Sequence, residues 1–175
     1  MINDFNSKLN DYLANWNKLI SDRQNKPFFQ ELKPVAIGWK VADLTEYRRL
    51  YDELRDQCDR IVETWMNGRW IAKMHLKDDK LEGSIEIIKL MQRRPGSDDA
   101  LGLDHVDFYS PAVSGAEAVL KQEKDLKWTH ESNDVVDNYA WISVWFEGGE
   151  AKLKNGTVVD IVIEELKQIS DHIKS

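Results

Sequence analysis

The chain has 175 residues, of which 42% are apolar and 31% charged, with a net charge of −7 at neutral pH. That balance fits one soluble globular domain or two fused half-units sharing a core, and the lack of any Lys/Arg block argues against a nucleic acid as partner. No stretch reaches the roughly 20 apolar residues of a membrane span, the opening MINDFNSKLNDYL is too polar for a secretion signal, and the lone Cys58 forms no internal disulfide, so a reducing cytoplasm is the expected location.

Ile2, Phe5, Leu9, Leu13, Trp16 and Ile20 recur at helical spacing between polar residues, which predicts one amphipathic helix over 3–22. Pro27 and Pro34 mark 23–34 as a connector, with Phe28, Phe29 and Leu32 pinning the helix to the body. A strand is expected over 35–41. Asp43 followed by Glu46 reads as an N-cap with a capping box. The helix it opens carries Leu44, Tyr47, Leu50, Tyr51, Leu54, Cys58 and Ile61 on one stripe, which makes Cys58 a core residue. Strands are expected near 61–66, 70–76 and 84–91, with Asn67-Gly68 as a turn and LKDDKLEG as a loop. The segment RRPGSDDALG, 93–102, is the one strong linker signal in mid-chain.

The second half follows the same plan. A strand is expected over 103–109, and Ser114 with Glu117 suggests a cap for a short helix to about residue 124. Strands follow near 127–133, 140–147, 150–154 and 157–163, with Gly148-Gly149 and Asn155-Gly156 as turns. Ile163, Leu166, Ile169 and Ile173 suggest a closing helix. PVAIGWKVADLTE (34–46) thus parallels LGLDHVDFYSPAVSG (101–115), an offset of 69 residues from Ala36 to His105. GSIEIIKLMQ (83–92) parallels NGTVVDIVI (155–163), an offset of 71 from Lys89 to Asp160. The expected fold is α+β. An N-terminal helix and connector (1–33) precede two βαβββ modules (34–96 and 97–175), the second ending in the closing helix.

LDHVDF followed by NGTVVDI resembles the vicinal oxygen chelate superfamily, the glyoxalase and extradiol dioxygenase fold. AIGWKVADL is similar to that family's first strand and helix start, with Ala36 where His is expected. IIKLMQR is similar to its last strand, with Lys89 where Glu is expected. The N-terminal helix, the WMNGRWIAKMHL segment and the RPG linker are most similar to the small bacterial YecM-type branch. The resemblance covers about 34–166. It implies two modules pairing into a cleft-forming curved sheet or barrel, with one metal ligand from the first and last strand of each module. By position these are Ala36, Lys89, His105 and Asp160.

Strand alternation puts His105, Asp107 and Tyr109 on one face, and Asp160 between Val158 and Val162 on another strand. A carboxylate on an apolar strand needs a partner. Two ligands beside an ammonium make a poor divalent site, because the cation repels the metal. Lys89 is therefore expected to fill the metal's electrostatic role, against Asp160 and His105 or against an anionic ligand. Extra metal ligands would have to be Glu86, which lies on the opposite strand face from Lys89, or His75. His130 reads as a surface or hydrogen-bonded residue, and His172, in the last turn of the closing helix, suits that helix's dipole. Trp39, Trp70, Trp141 and Trp145 sit on strands, with Trp39 a pocket candidate. Arg93 and Arg94 read as a solvated linker.

Two readings of function stay open. One is a binding or interaction module for a small or anionic ligand, with a degenerate metal site and no cofactor. The other is a metal-dependent lyase- or dioxygenase-type enzyme acting on an oxygen-rich substrate, using His105, Asp160 and Glu86 or His75. A homodimer is compatible with either.

Overall fold

The structure, a computed structural model, describes residues 2–23, 27–66, 68–77, 81–82, 85–109, 115–132 and 140–154. The chain opens with α1 (Ile2–Ser21) and α2 (Pro27–Gln30). The first module is β1 (Lys33–Val41), α3 (Leu44–Arg55), β2 (Cys58–Met66), β3 (Arg69–Leu76) and β4 (Ile87–Gln92). The second is β5 (Gly102–Tyr109), α4 (Ala116–Leu120), β6 (Lys127–Ser132), β7 (Ala140–Phe146) and β8 (Gly149–Lys154). Among the described residues, eight strands form one mixed sheet in the order β2-β3-β4-β1-β5-β8-β7-β6. This is the α+β architecture expected from the sequence.

Alternation along β1 decides the layering. Ile37, Trp39 and Val41 turn toward the helices, where Trp39 meets Phe5 edge-on at 4.4 Å. On β5, Val106 and Phe108 turn the same way, and Phe108 lies 4.4 Å from Trp16 of α1. The apolar stripe of α1 is therefore the lid of the core, with Phe5, Leu9, Tyr12 and Trp16 buried. Ala36, Gly38 and Lys40, and across from them His105 and Asp107, face the other side of the sheet.

Several local expectations are met. Asp43 caps α3 by accepting from the Glu46 N–H at 2.9 Å, and Glu46 reaches back to the Ala42 N–H at 2.9 Å. Cys58 is core, although not on a helix. α3 stops at Arg55, the Cys58 thiol donates to the Leu54 carbonyl at 3.3 Å, and Cys58 and Ile61 start β2. The helical stripe ran past the true end because the first apolar residues of β2 happened to continue its spacing. α4 is one turn long with no side-chain cap at Gly115.

The two modules are joined by antiparallel β1 and β5, centred on Ile37 opposite Val106. That pairing makes Ala36 the counterpart of His105, and Gly38 that of Asp107, the expected offset of 69. The last strand requires a correction. β4 runs parallel to β1 with Ile87 opposite Ala36, and β8 runs parallel to β5 with Glu150 opposite His105. The offset there is 63 residues, Ile87 to Glu150, and the counterpart of Lys89 is Lys152, not Asp160. The Gly148-Gly149 turn, with φ of 121° and 146°, already closes the β7–β8 hairpin. The strand expected over 150–154 is β8, but its charged EAKLK sequence hid that it is the partner of β5. Asp160, the 157–163 strand, the closing helix, His172 and Ser114 lie outside the described residues.

Candidate functional site

Gly38 sits between Lys89 on β4 and His105 on β5, opposite both. Its missing side chain leaves room for the His105 ring. A Cβ there would lie 2.4 Å from Cε1, 2.7 Å from Nδ1 and 2.8 Å from Nε2 of that ring. The Lys89 side chain reaches across this gap. Its Nζ lies 3.1 Å from His105 Nε2 and donates to Asp107 Oδ2 at 2.8 Å. Asp107 is fully buried, and its other oxygen lies 2.9 Å from Lys154 Nζ. His105 Nδ1 lies 2.8 Å from Asp104 Oδ2, and Lys40 Nζ is 2.7 Å from Asp104 Oδ1 and 3.0 Å from Asp99 Oδ2. Charges of alternating sign thus run from Lys154 through Asp107 and Lys89 to neutral His105, then on through Asp104 and Lys40 to Asp99.

The electrostatics follow from burial. Burial, Lys89 and Lys152 push the His105 pKa down to about 3, against the pull of Asp104 and Asp107. His105 is therefore neutral near pH 7. Burial raises Asp107, but Lys154 and Lys89 outweigh it and hold the carboxyl well below the usual range. Asp104 is likewise held ionised by His105 and Lys40 in spite of its burial. An ionised Asp104 only accepts, so His105 Nδ1 carries the ring proton and Nε2 offers its lone pair to Lys89. The lone pair that a metal would take is occupied by an ammonium.

Further groups line the same face. Lys152 lies opposite Asp107 and Ser143 in the ladder. Ser143 is buried and donates to Glu150 Oε1 at 2.5 Å. Lys152 stands 5.4 Å over the Trp141 ring. From the helix side, the Tyr12 hydroxyl donates to the Glu150 carbonyl at 2.8 Å, tying α1 to β8.

The structure gathers Lys89, His105 and Asp107, as their sequence positions suggested. Trp39 does not join them, since it packs against Phe5 on the helix side. His75 lies apart, with Nδ1 2.6 Å from Asp59 and Nε2 3.5 Å from Glu86 in a half-exposed group. Neither His75 nor Glu86 is brought to His105. His130 is exposed beside Glu117. Sequence reasoning missed Gly38, Lys152, Lys154 and the Asp104–Lys40 pair. The signal for the β8 lysines was present: Ala151 and Leu153 alternate with Glu150, Lys152 and Lys154.

With the register corrected, the four positions where the resemblance expects metal ligands hold Ala36, Lys89, His105 and Lys152. That is one imidazole, one methyl and two ammonium groups, which does not fit a divalent cation. Among the described residues, no group of three or more His, Cys, Asp and Glu side chains is placed to hold a metal ion.

No protein-family model matches the chain, and no curated protein matches it. Solved structures do. A structural-genomics protein, EC4020, superposes with a TM-score of 0.61 at 15% identity, over 90% of this chain and 93% of that one. Methylmalonyl-CoA epimerase from Mycobacterium tuberculosis superposes with a TM-score of 0.50 at 15% identity, over 71% of this chain and 88% of that one. At such identity the likeness bears on fold alone. The fold is that of the glyoxalases, the vicinal oxygen chelate fold. No helix among the described residues is long and apolar enough to cross a membrane.

Proposed function

We propose that this chain is a ligand-binding module of the glyoxalase fold in which the Lys89 ammonium stands where a divalent metal would sit. The site comprises Lys89, His105 and Asp107, with Lys152 and Lys154 beside them, and its ligand is a small oxygen-rich or anionic molecule. One observation carries the reading: Lys89 Nζ lies 3.1 Å from His105 Nε2 and 2.8 Å from Asp107 Oδ2. A divalent ion about 4 Å from that ammonium meets roughly 8 kcal/mol of repulsion at an effective dielectric near 20. The alternative, a metal-dependent lyase or dioxygenase, needs His105 Nε2 released from Lys89 and further ligands that Glu86 and His75 do not bring.

Lys89 offers an oxyanion or carbonyl oxygen a fixed positive charge. His105 cannot charge near neutral pH, so it acts as a hydrogen-bond acceptor that aims this ammonium. Within the fold we place the chain in the YecM-type branch, on its added N-terminal helix and RPG linker. A match covering 90% of the chain, more than the two modules alone, supports that extended architecture. Elemental analysis of purified protein after dialysis tests the reading. Substoichiometric metal is expected, whereas one equivalent of Zn, Mn, Ni or Fe would sink it.

A further inference from the structure

We propose that Arg69 and Arg94 form an oxyanion subsite at the far end of the Lys89 face, which takes a phosphate group of the ligand. This deepens the reading above by naming the ligand's second end.

Arg69 opens β3, and alternation puts Arg69, Ile71 and Lys73 on one face. Lys73 lies opposite Lys89, and Ile71 opposite Met91, which in turn faces Lys40. Arg69 is therefore four residues, about 13 Å, along the strand from the level of Lys89. The start of β3 lies beside the end of β4, where the Trp70 N–H points to the Gln92 side-chain oxygen at 3.5 Å. Two residues on, Arg94 opens a turn closed by the Ser97 N–H on the Arg94 carbonyl at 3.1 Å.

Arg69 Nε is buried and has no hydrogen-bond partner among the described residues. A buried donor left unmade is costly, and guanidinium groups rarely stay so without purpose. Burial and then Arg94 press the Arg69 pKa down, while Asp104 and Asp99 oppose them. Both carboxylates pair with Lys40, and Asp104 also contacts His105. A guanidinium with a buried donor to spare, at a strand end that adjoins the start of the Arg94 turn, suits a tetrahedral oxyanion, which accepts several charge-assisted bonds at once.

Titration calorimetry with inorganic phosphate on the full-length protein tests this. Wild type should bind, and Arg69→Met should weaken binding about tenfold or more, the worth of a charge-assisted bond. Arg69→Lys should recover only part, since an ammonium lacks the fork. Arg55→Met, an exposed arginine at the end of α3, should bind as wild type does. Circular dichroism shows whether each variant folds. No phosphate binding by wild type, or equal binding by a folded Arg69→Met, overturns the subsite. Metal content of the same sample reads the metal-free claim separately, so one can fail while the other stands.

Discussion

Gly38 and His105 are mutually dependent: the imidazole occupies the space where a side chain on Gly38 would begin. The contact is to ring atoms held on both edges by Asp104 and Lys89, so the ring has little room to retreat.

Gly38→Ala should therefore destabilise the fold by about 1–3 kcal/mol, the usual cost of overpacking a filled interior. Urea denaturation checks the energy. A proton NMR titration should also show the His105 ring losing its protection from charging. An alanine variant as stable as wild type would mean that the ring is not seated as described.

His105 has a folded pKa of about 3, below its unfolded value near 6.5. Between those values the unfolded chain takes up a proton that the folded one refuses. The stabilisation is thus whole above pH 6.5 and is lost as pH falls, by up to about 1.4 kcal/mol per pH unit. Asp104 and Asp107, both held below 3.8, add their own losses below about pH 4. Urea midpoints at pH 7 and pH 5 should fall further apart for wild type than for His105→Gln. Parallel declines would contradict the buried neutral imidazole.

Asp107 is fully buried between Lys89 and Lys154. Asp107→Asn removes the charge that both ammonium groups face, and should cost about 3–5 kcal/mol. In a double-mutant cycle with Lys154→Met the two losses should fall short of additivity by at least about 1 kcal/mol. Additive losses would place the carboxylate and Lys154 out of contact.

Much of this was legible in the sequence because period and spacing are local. The stripe Phe5, Leu9, Trp16 announced α1, and the strand–helix phrase around Ala36 recurred around His105 with the register that the β1–β5 pairing uses. The last strand of the second module was misplaced because pattern reading expects a buried strand to be apolar. β8 carries Lys152 and Lys154, and the burial of Lys154 is tolerable only with a partner such as Asp107 that lies on another strand. Trp39 illustrates the same limit from the other side. Alternation separated it from Ala36 and Gly38, but only α1, folded over the sheet, shows which face is core. Gly38 carried no signal at all, since the need for it arises from a ring 67 residues away along the chain.

Thermal melting with divalent metals and with EDTA, on wild type and on Lys89→Glu, tests the central claim most directly, because a ligand bound only by the native state raises the midpoint by mass action. Lys89→Glu replaces the ammonium with a third acidic or imidazole donor beside His105 and Asp107. Flat curves are expected for wild type, and in Lys89→Glu a metal-dependent rise that is lost again when His105→Ala is added. A rise in wild type that His105→Ala abolishes would contradict the claim.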